Sequence, residues 1–171
     1  MDMEILHWIQ NLRSEPMDVI MRILSLISEF AAVWMVIALI LLVTKKHKEC
    51  AISMVYGGIA SCLIGELAIK YIVARPRPFL LDTSIALVEG MHMPTSYSFP
   101  SGHTTQSFCA MVLLLCYFKK KAIPAVFLAL GVAFSRMYLF VHYPTDVLAG
   151  AILGTVIAFT IFRIRKKCCL N

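Results

Sequence analysis

Eight residues of this sequence are of the right types to do chemistry together, and they fall in three short blocks. K-Y-I-V-A-R-P-R-P carries Lys70 and Arg77, P-S-G-H carries Ser101, Gly102 and His103, and S-R-M-Y-L-F-V-H-Y-P-T-D carries Arg136, His142 and Asp146. The inventory suits phosphate chemistry. Arginine grips phosphoryl oxygens with a two-pronged fork and lysine acts as a compact point charge. Three such cations balance the charge that a phosphate carries into its transition state. In P-S-G-H a proline and a serine stand ahead of a helix whose first N–H groups have no internal partner. That end attracts anions, helped by the Ser101 hydroxyl and by the close backbone approach that Gly102 permits. His103, at the mouth of that site, can give a proton to a leaving oxygen. His142 and Asp146 straddle Pro144, which suits the first turn of a helix. A carboxylate on one ring nitrogen fixes the tautomer and makes the other nitrogen the better nucleophile.

Each feature has a plainer reading when taken alone. Ser101 is then a helix N-cap, His142 and Asp146 a structural hydrogen bond, and each cation a side chain snorkelling to an interface. Their occurrence together favours function, because ionisable groups near hydrocarbon are costly. Arg75 is assigned the snorkelling role. Glu66, one turn before Lys70, is assigned as its ion-pair partner or a positioning group. A metal held by His103 and His142, joined by His92 from the outer loop, is the competing reading of the histidines. It is disfavoured because the neighbours are cations rather than carboxylates, so no metal or cofactor is expected.

The surroundings of the blocks identify the solvent. The chain has 171 residues, 60% hydrophobic and 15% charged, with mean hydropathy +0.80. Soluble domains average about 25% charged and 45–50% apolar residues, so this is an integral membrane protein. The net charge of +6 sits in juxtamembrane clusters without an RNA-binding motif, and nucleic acid is not an expected partner. The six cysteines form no disulfide framework. Cys62, Cys109 and Cys116 lie in apolar runs and are expected to pack, whereas Cys50, Cys168 and Cys169 flank basic clusters and are candidates for acylation. Met1 to Arg13 lacks the basic start and apolar core of a cleaved signal peptide.

The elements that must position the blocks are membrane helices in a single all-α domain, residues 1–171, with its motif core at 70–146. An interfacial amphipathic helix with Ile5, Trp8, Ile9 and Leu12 on its apolar face comes first. Five spans follow at about residues 23–44, 51–73, 102–118, 122–141 and 145–163, given ~20 residues per crossing. Gly150-x-x-x-Gly154 allows close helix approach, within one chain or between chains; oligomeric state is left open. Lys45, Lys46 and Lys48, then Lys119 to Lys121, then Arg163, Arg165, Lys166 and Lys167 follow the first, third and fifth spans. The positive-inside rule puts all three clusters in the cytoplasm, with the amino terminus outside and the carboxyl terminus inside. The same parity puts all three chemical blocks on the outer face. Residues 75–100 form an apolar outer loop with Phe79, Leu80, Leu81, Met91 and Met93, either bordering a lipid tail or packed as a cap.

K-x6-R-P, P-S-G-H and S-R-x5-H-x3-D together resemble the type 2 phosphatidic acid phosphatase superfamily of membrane lipid phosphatases. The resemblance implies that His142 is a nucleophile forming a phosphohistidine, that Asp146 orients it, and that His103 is the general acid. It also implies that Lys70, Arg77, Ser101, Gly102 and Arg136 hold the phosphoryl oxygens without a metal, and that six spans are usual where five are counted here. Within the superfamily, the short chain, the M-E-I-L-H-W-I-Q-N-L opening and S-E-F are similar to bacterial undecaprenyl diphosphate phosphatases. The substrate so implied is undecaprenyl diphosphate in the plasma membrane, with a phosphatidylglycerophosphate or phosphatidate phosphatase as the near rival. A phosphotransferase, a vanadate haloperoxidase and a non-enzymatic lipid-binding scaffold are the remaining alternatives.

Overall fold

The computed structural model describes residues 1–44, 47–90 and 93–168. Lys45, Lys46, Met91, His92 and Cys169 lie outside the described residues, as does the Cys168 side chain. All regular structure among the described residues is helical: α1 (Asp2–Gln10), α2 (Glu15–Ile27), α3 (Ala32–Val43), α4 (Lys48–Ser61), α5 (Lys70–Val73), α6 (Pro78–Leu81), α7 (Gly102–Phe118), α8 (Ile123–Tyr138) and α9 (Pro144–Cys168). A π-wound segment, Cys62–Ile69, joins α4 to α5 without a break.

The first expected span is not one helix. α2 and α3 are separated by the turn Glu29–Ala31, and the chain bends there by 54°. Phe30 and Ala31 both take the left-handed conformation, φ 50° and 59°. Neither is a glycine, so the break has no marker in the sequence. By length and composition, Lys48–Leu81 and Pro144–Lys167 can each cross a membrane, and the bent pair makes a third if its halves form one span. That is fewer than the five expected. The shortfall lies in α7 and α8, whose 17 and 16 residues rise only about 25 Å, against ~30 Å of hydrocarbon.

α7 is the central helix, packed against α4, α8 and α9. Its Cys109 and Leu113 join Trp34, Met54, Ala129 and Ile157 in the largest core cluster, and Trp34 Nε1 donates to Ser107 Oγ at 2.9 Å. The glycines of α9 make the α7 contact possible. A methyl on Gly154 would overlap the Thr105 carbonyl oxygen, and one on Gly150 would lie 2.7 Å from the Ser101 carbonyl oxygen. The Gly150-x-x-x-Gly154 motif therefore packs inside the monomer, and it brings the start of α9 against the start of α7. Cys109 packs as expected. Cys50 is also in the core, 1% exposed, which corrects its reading as an acylation candidate.

The two ends of the bundle differ. Glu49 pairs with Arg165, and the His47 ring meets Phe118 edge-on at 4.7 Å. These contacts gather the start of α4 and the ends of α7 and α9, with their basic residues, at one end. At the other end, Leu6 of α1 packs on Phe140 and Tyr143, while Ile9 packs with Met21, Tyr138 and Val141. α1 thus docks through Leu6 and Ile9. Ile5, Trp8 and Leu12 remain outside, Trp8 at 62% exposure, so the expected apolar face is split between packing and surface. In the 75–100 loop, Phe79, Ile85, Leu87 and Val88 pack against the same clusters, and Leu80 and Leu81 face outward. The loop is mostly a cap.

Candidate active site

The lysine and arginines of the first block are placed by a change in helix winding and a sharp turn. π-wound turns recur at functional sites, and here one delivers Glu66 and Lys70 to the same side. Lys70 Nζ donates to Glu66 Oε2 at 2.7 Å and approaches Ser96 Oγ at 3.5 Å. Ala74, left-handed at φ 47°, then ends α5. Arg77 follows in extended chain, where its guanidinium is almost fully spent: Nε donates to the Ser96 carbonyl at 2.7 Å, Nη2 to Ser96 Oγ and the Tyr97 carbonyl, and Nη1 to the Val141 carbonyl at 2.9 Å. Lys70 and Arg77 are each 3% exposed.

The third block is built around the end of α8. Phe140 is left-handed at φ 59°, and this turn lets the Val141 and His142 N–H groups both donate to the Arg136 carbonyl at 3.2 Å. Arg136 and His142 are thereby fixed to each other. His142 Nε2 lies 3.2 Å from Arg77 Nη1. A guanidinium only donates, so Nε2 carries the lone pair and Nδ1 the proton. Nδ1 faces Ser98 Oγ at 3.4 Å and Asp146 Oδ2 at 3.6 Å. Burial pushes the His142 pKa down to about 3; Asp146 opposes the shift, and Arg77 and Arg136 add to it. His142 is therefore a neutral imidazole at physiological pH.

Pro144 opens α9 as expected, and Asp146 turns back from its first turn. The carboxylate is wholly buried and held on every side. Oδ1 accepts from Arg75 Nη1 at 2.6 Å; Oδ2 accepts from Ser98 Oγ and from the Tyr143 N–H at 3.0 Å. Its own backbone carbonyl accepts the Ser101 N–H at 3.1 Å, tying α9 to the P-S-G-H block. Arg75 also donates to Asp2 Oδ2 at 2.8 Å and to Thr145 Oγ1 at 2.7 Å, and lies 3.7 Å over the Tyr143 ring. The snorkelling role given to Arg75 is thus corrected: it clamps the carboxylate beside the histidine.

At the start of α7, Ser101 is fully buried and its hydroxyl accepts from Thr104 Oγ1 at 2.9 Å. Gly102 is the first helical residue, and the space beside it holds Glu66. A methyl on Gly102 would overlap Glu66 Oε1 and lie 2.7 Å from its Cδ. His103 lies within electrostatic reach of Arg136, His142, Lys70 and Arg77. Arg136, 5% exposed, binds Ser25 Oγ, while its buried Nε has no hydrogen-bond partner among the described residues. Such an orphaned N–H is what an incoming phosphoryl oxygen would satisfy.

All eight residues singled out by spacing therefore meet at one end of the bundle. Arg75, Ser96 and Ser98 join them, and Glu66 has a second contact beyond Lys70. The sequence signal for the serines was their place just ahead of P-S-G-H. For Arg75 it was the doubled arginine in R-P-R-P. Among the described residues, no group of three histidine, cysteine, aspartate or glutamate side chains converges to hold a metal.

The geometry has counterparts among known proteins. An undecaprenyl-diphosphatase of Sulfolobus acidocaldarius is 38% identical over 128 residues, 74% of this chain and 61% of that protein's length. The undecaprenyl-diphosphatase BcrC of Bacillus subtilis is 31% identical over 150 residues, 85% of this chain and 75% of that protein. The crystal structure of a transmembrane PAP2-type phosphatidylglycerolphosphate phosphatase from Bacillus subtilis superposes with a TM-score of 0.78 at 26% identity, covering 97% of this chain and 85% of that one. The family model described as the PAP2 superfamily matches residues 50–169, a stretch that holds all three blocks. With its motifs converging on one buried site and its relatives named as phosphatases, the chain belongs to the PAP2 superfamily.

Proposed function

We propose that this chain is a membrane lipid phosphatase that hydrolyses a lipid diphosphate, with undecaprenyl diphosphate the first choice, to the lipid monophosphate and inorganic phosphate. The observation that carries the reading is the neutral, buried His142 imidazole with Nε2 beside Arg77 and Nδ1 toward Asp146. Nε2 attacks the terminal phosphorus, the bond to the bridging oxygen breaks, and His103, protonated once the substrate's negative charge has entered among Lys70, Arg77 and Arg136, gives that oxygen its proton. Asp146 stabilises the positive charge that develops on the His142 ring, as a carboxylate does for an imidazole in acyl transfer. Arg77 shifts its Nη1 hydrogen bond from Nε2 to a phosphoryl oxygen, and Lys70 and Arg136 balance the remaining charge. Water then attacks the phosphohistidine, His103 takes its proton, the bond from phosphorus to Nε2 breaks, and phosphate leaves with the imidazole neutral again. Ser101 and Gly102 offer the start of α7 to the same oxygens.

Two relatives named as undecaprenyl-diphosphatases support the choice of lipid. The likeness to the phosphatidylglycerolphosphate phosphatase favours that ester as the second reading. The site opens on the non-cytoplasmic face of the plasma membrane and the carboxyl terminus lies in the cytoplasm, a reading supported by the basic residues gathered at the opposite end of the bundle. Phosphate release by purified protein from undecaprenyl diphosphate, phosphatidylglycerophosphate and phosphatidate, with and without chelator, is the direct test. Undecaprenyl diphosphate is expected to turn over fastest, unaffected by chelator, and His142→Ala to fall to background. Activity retained in His142→Ala removes the nucleophile assignment, and activity lost in chelator overturns the metal-free mechanism.

A further inference from the structure

We propose that Glu66 is a displaceable internal anion that occupies the phosphate end of the site until the phosphoryl group of a substrate takes its place. The inference rests on the lipid phosphatase reading above and adds a residue that governs which anions enter.

Glu66 already sits where an anion would bind. The Glu66 carboxylate lies in the space that Gly102 leaves by lacking a side chain, overlapping the place a methyl would take. That space adjoins the first residue of a 17-residue helix, whose leading N–H groups have no internal partner and attract negative charge. A carboxylate there uses the surroundings that phosphoryl oxygens also need.

Charge favours the same place for Glu66. Lys70 donates to Glu66 at 2.7 Å, and the same carboxylate acts favourably on Arg77 and Arg136. Lys70, Arg77 and Arg136 are all buried and repel one another. An acid on a membrane helix is costly unless it answers such a need. When a phosphoryl group arrives, it supplies the compensating charge itself, and two adjacent anions then compete for one set of donors. The larger charge and additional oxygens of the phosphoryl group favour it over the carboxylate.

Glu66 also has freedom to move. The Glu66 side chain is 30% exposed, whereas the side chain of Lys70 is only 4% exposed. Lys70 is the hydrogen-bond partner of Glu66 among the described residues. Withdrawing Glu66 costs one charged hydrogen bond, which Lys70 regains from phosphate. Glu66 thus screens out weak anions.

The test measures inorganic phosphate affinity by calorimetry on the full chain in detergent, beside undecaprenyl diphosphate hydrolysis, for wild type, Glu66→Gln and Glu66→Asp. Glu66→Gln is expected to bind phosphate about tenfold or more tighter, since removing a like charge from the site lowers the cost of the second anion. Glu66→Asp keeps the charge but is one methylene too short to stay on Gly102, and it should also bind more tightly than wild type. An unchanged or weaker affinity in Glu66→Gln overturns the proposal, because Glu66 then merely supports Lys70. Tighter binding in Glu66→Gln with Glu66→Asp at the wild-type value also overturns it, since charge alone, without occupancy, explains that pair. If these results come with normal wild-type hydrolysis, the phosphatase reading stands. If wild type neither hydrolyses lipid phosphates nor binds phosphate, both fail.

Discussion

Two acids in this site have the same functional group and opposite circumstances. Asp146, at the start of α9, is wholly buried and fixed by Arg75, Ser98 and the Tyr143 N–H. Glu66, in the π-wound stretch before α5, is partly open and held by Lys70. In the proposed mechanism one acid orients His142 and the other stands where the substrate's own charge must go. Preorganisation and displaceability therefore sit on different elements, which lets the nucleophile stay rigid while the phosphate end of the site empties and fills.

The sharpest way to break this contrast is to neutralise both acids. Asp146→Asn is expected to lower kcat by about a thousandfold or more with little change in KM, as loss of the orienting carboxylate does in hydrolytic triads. Glu66→Gln should instead change KM for the lipid, downward, and leave kcat within about threefold. Steady-state kinetics on undecaprenyl diphosphate reads both. If the two variants lose kcat alike, the acids share one role and the distinction collapses.

A smaller effect is expected at the clamp. Arg75 takes Oδ1 and leaves Oδ2 to face the imidazole. Arg75→Ala should cost about 10–100-fold in kcat, the range typical of partners that orient a functional ligand, with KM nearly constant. Arg75→Lys, which keeps the charge but loses the fork between Asp146, Asp2 and Thr145, should recover only part. Full recovery with lysine would mean that charge, and not geometry, is what Asp146 receives.

The contrast also marks how far a sequence can be read. The start of the P-S-G-H helix at Gly102 was legible, because Pro100, Ser101 and Gly102 are physical start signals. Span parity put the three blocks on one face; their meeting in one site comes from the packing of α9 on α7. What was hidden depends on contacts between distant residues or on backbone states without a marker. Arg75 meets Asp146 across 71 residues, and no periodicity connects them. The bend at Phe30 and Ala31 and the turn at Phe140 use left-handed residues that are not glycines, so tertiary packing overrides local preference there. Glu66 was legible as the partner of Lys70, since an i, i+4 pair is local. Its place beside Gly102 was not, because it requires the π winding and the docking of α7.

The smallest effect concerns stability and sharpens the fixed half of the comparison. His142 is held neutral by burial, with its pKa at about 3 against an ordinary value of 6.5. Between those values the unfolded chain binds a proton on this side chain that the folded protein does not, so stability rises with pH there. Its contribution is fully present above about 6.5 and is lost as pH falls toward 3. Thermal midpoints of wild type should thus drop on acidification from pH 7 to pH 4, and drop less in His142→Gln, which keeps the ring's polarity without a titrating group. If His142 is set in place before substrate arrives, the difference between the two curves begins near pH 6.5. A pair of parallel curves would mean that the unliganded His142 is already open to water and to protons, and that the rigidity ascribed to the Asp146 side forms only on binding.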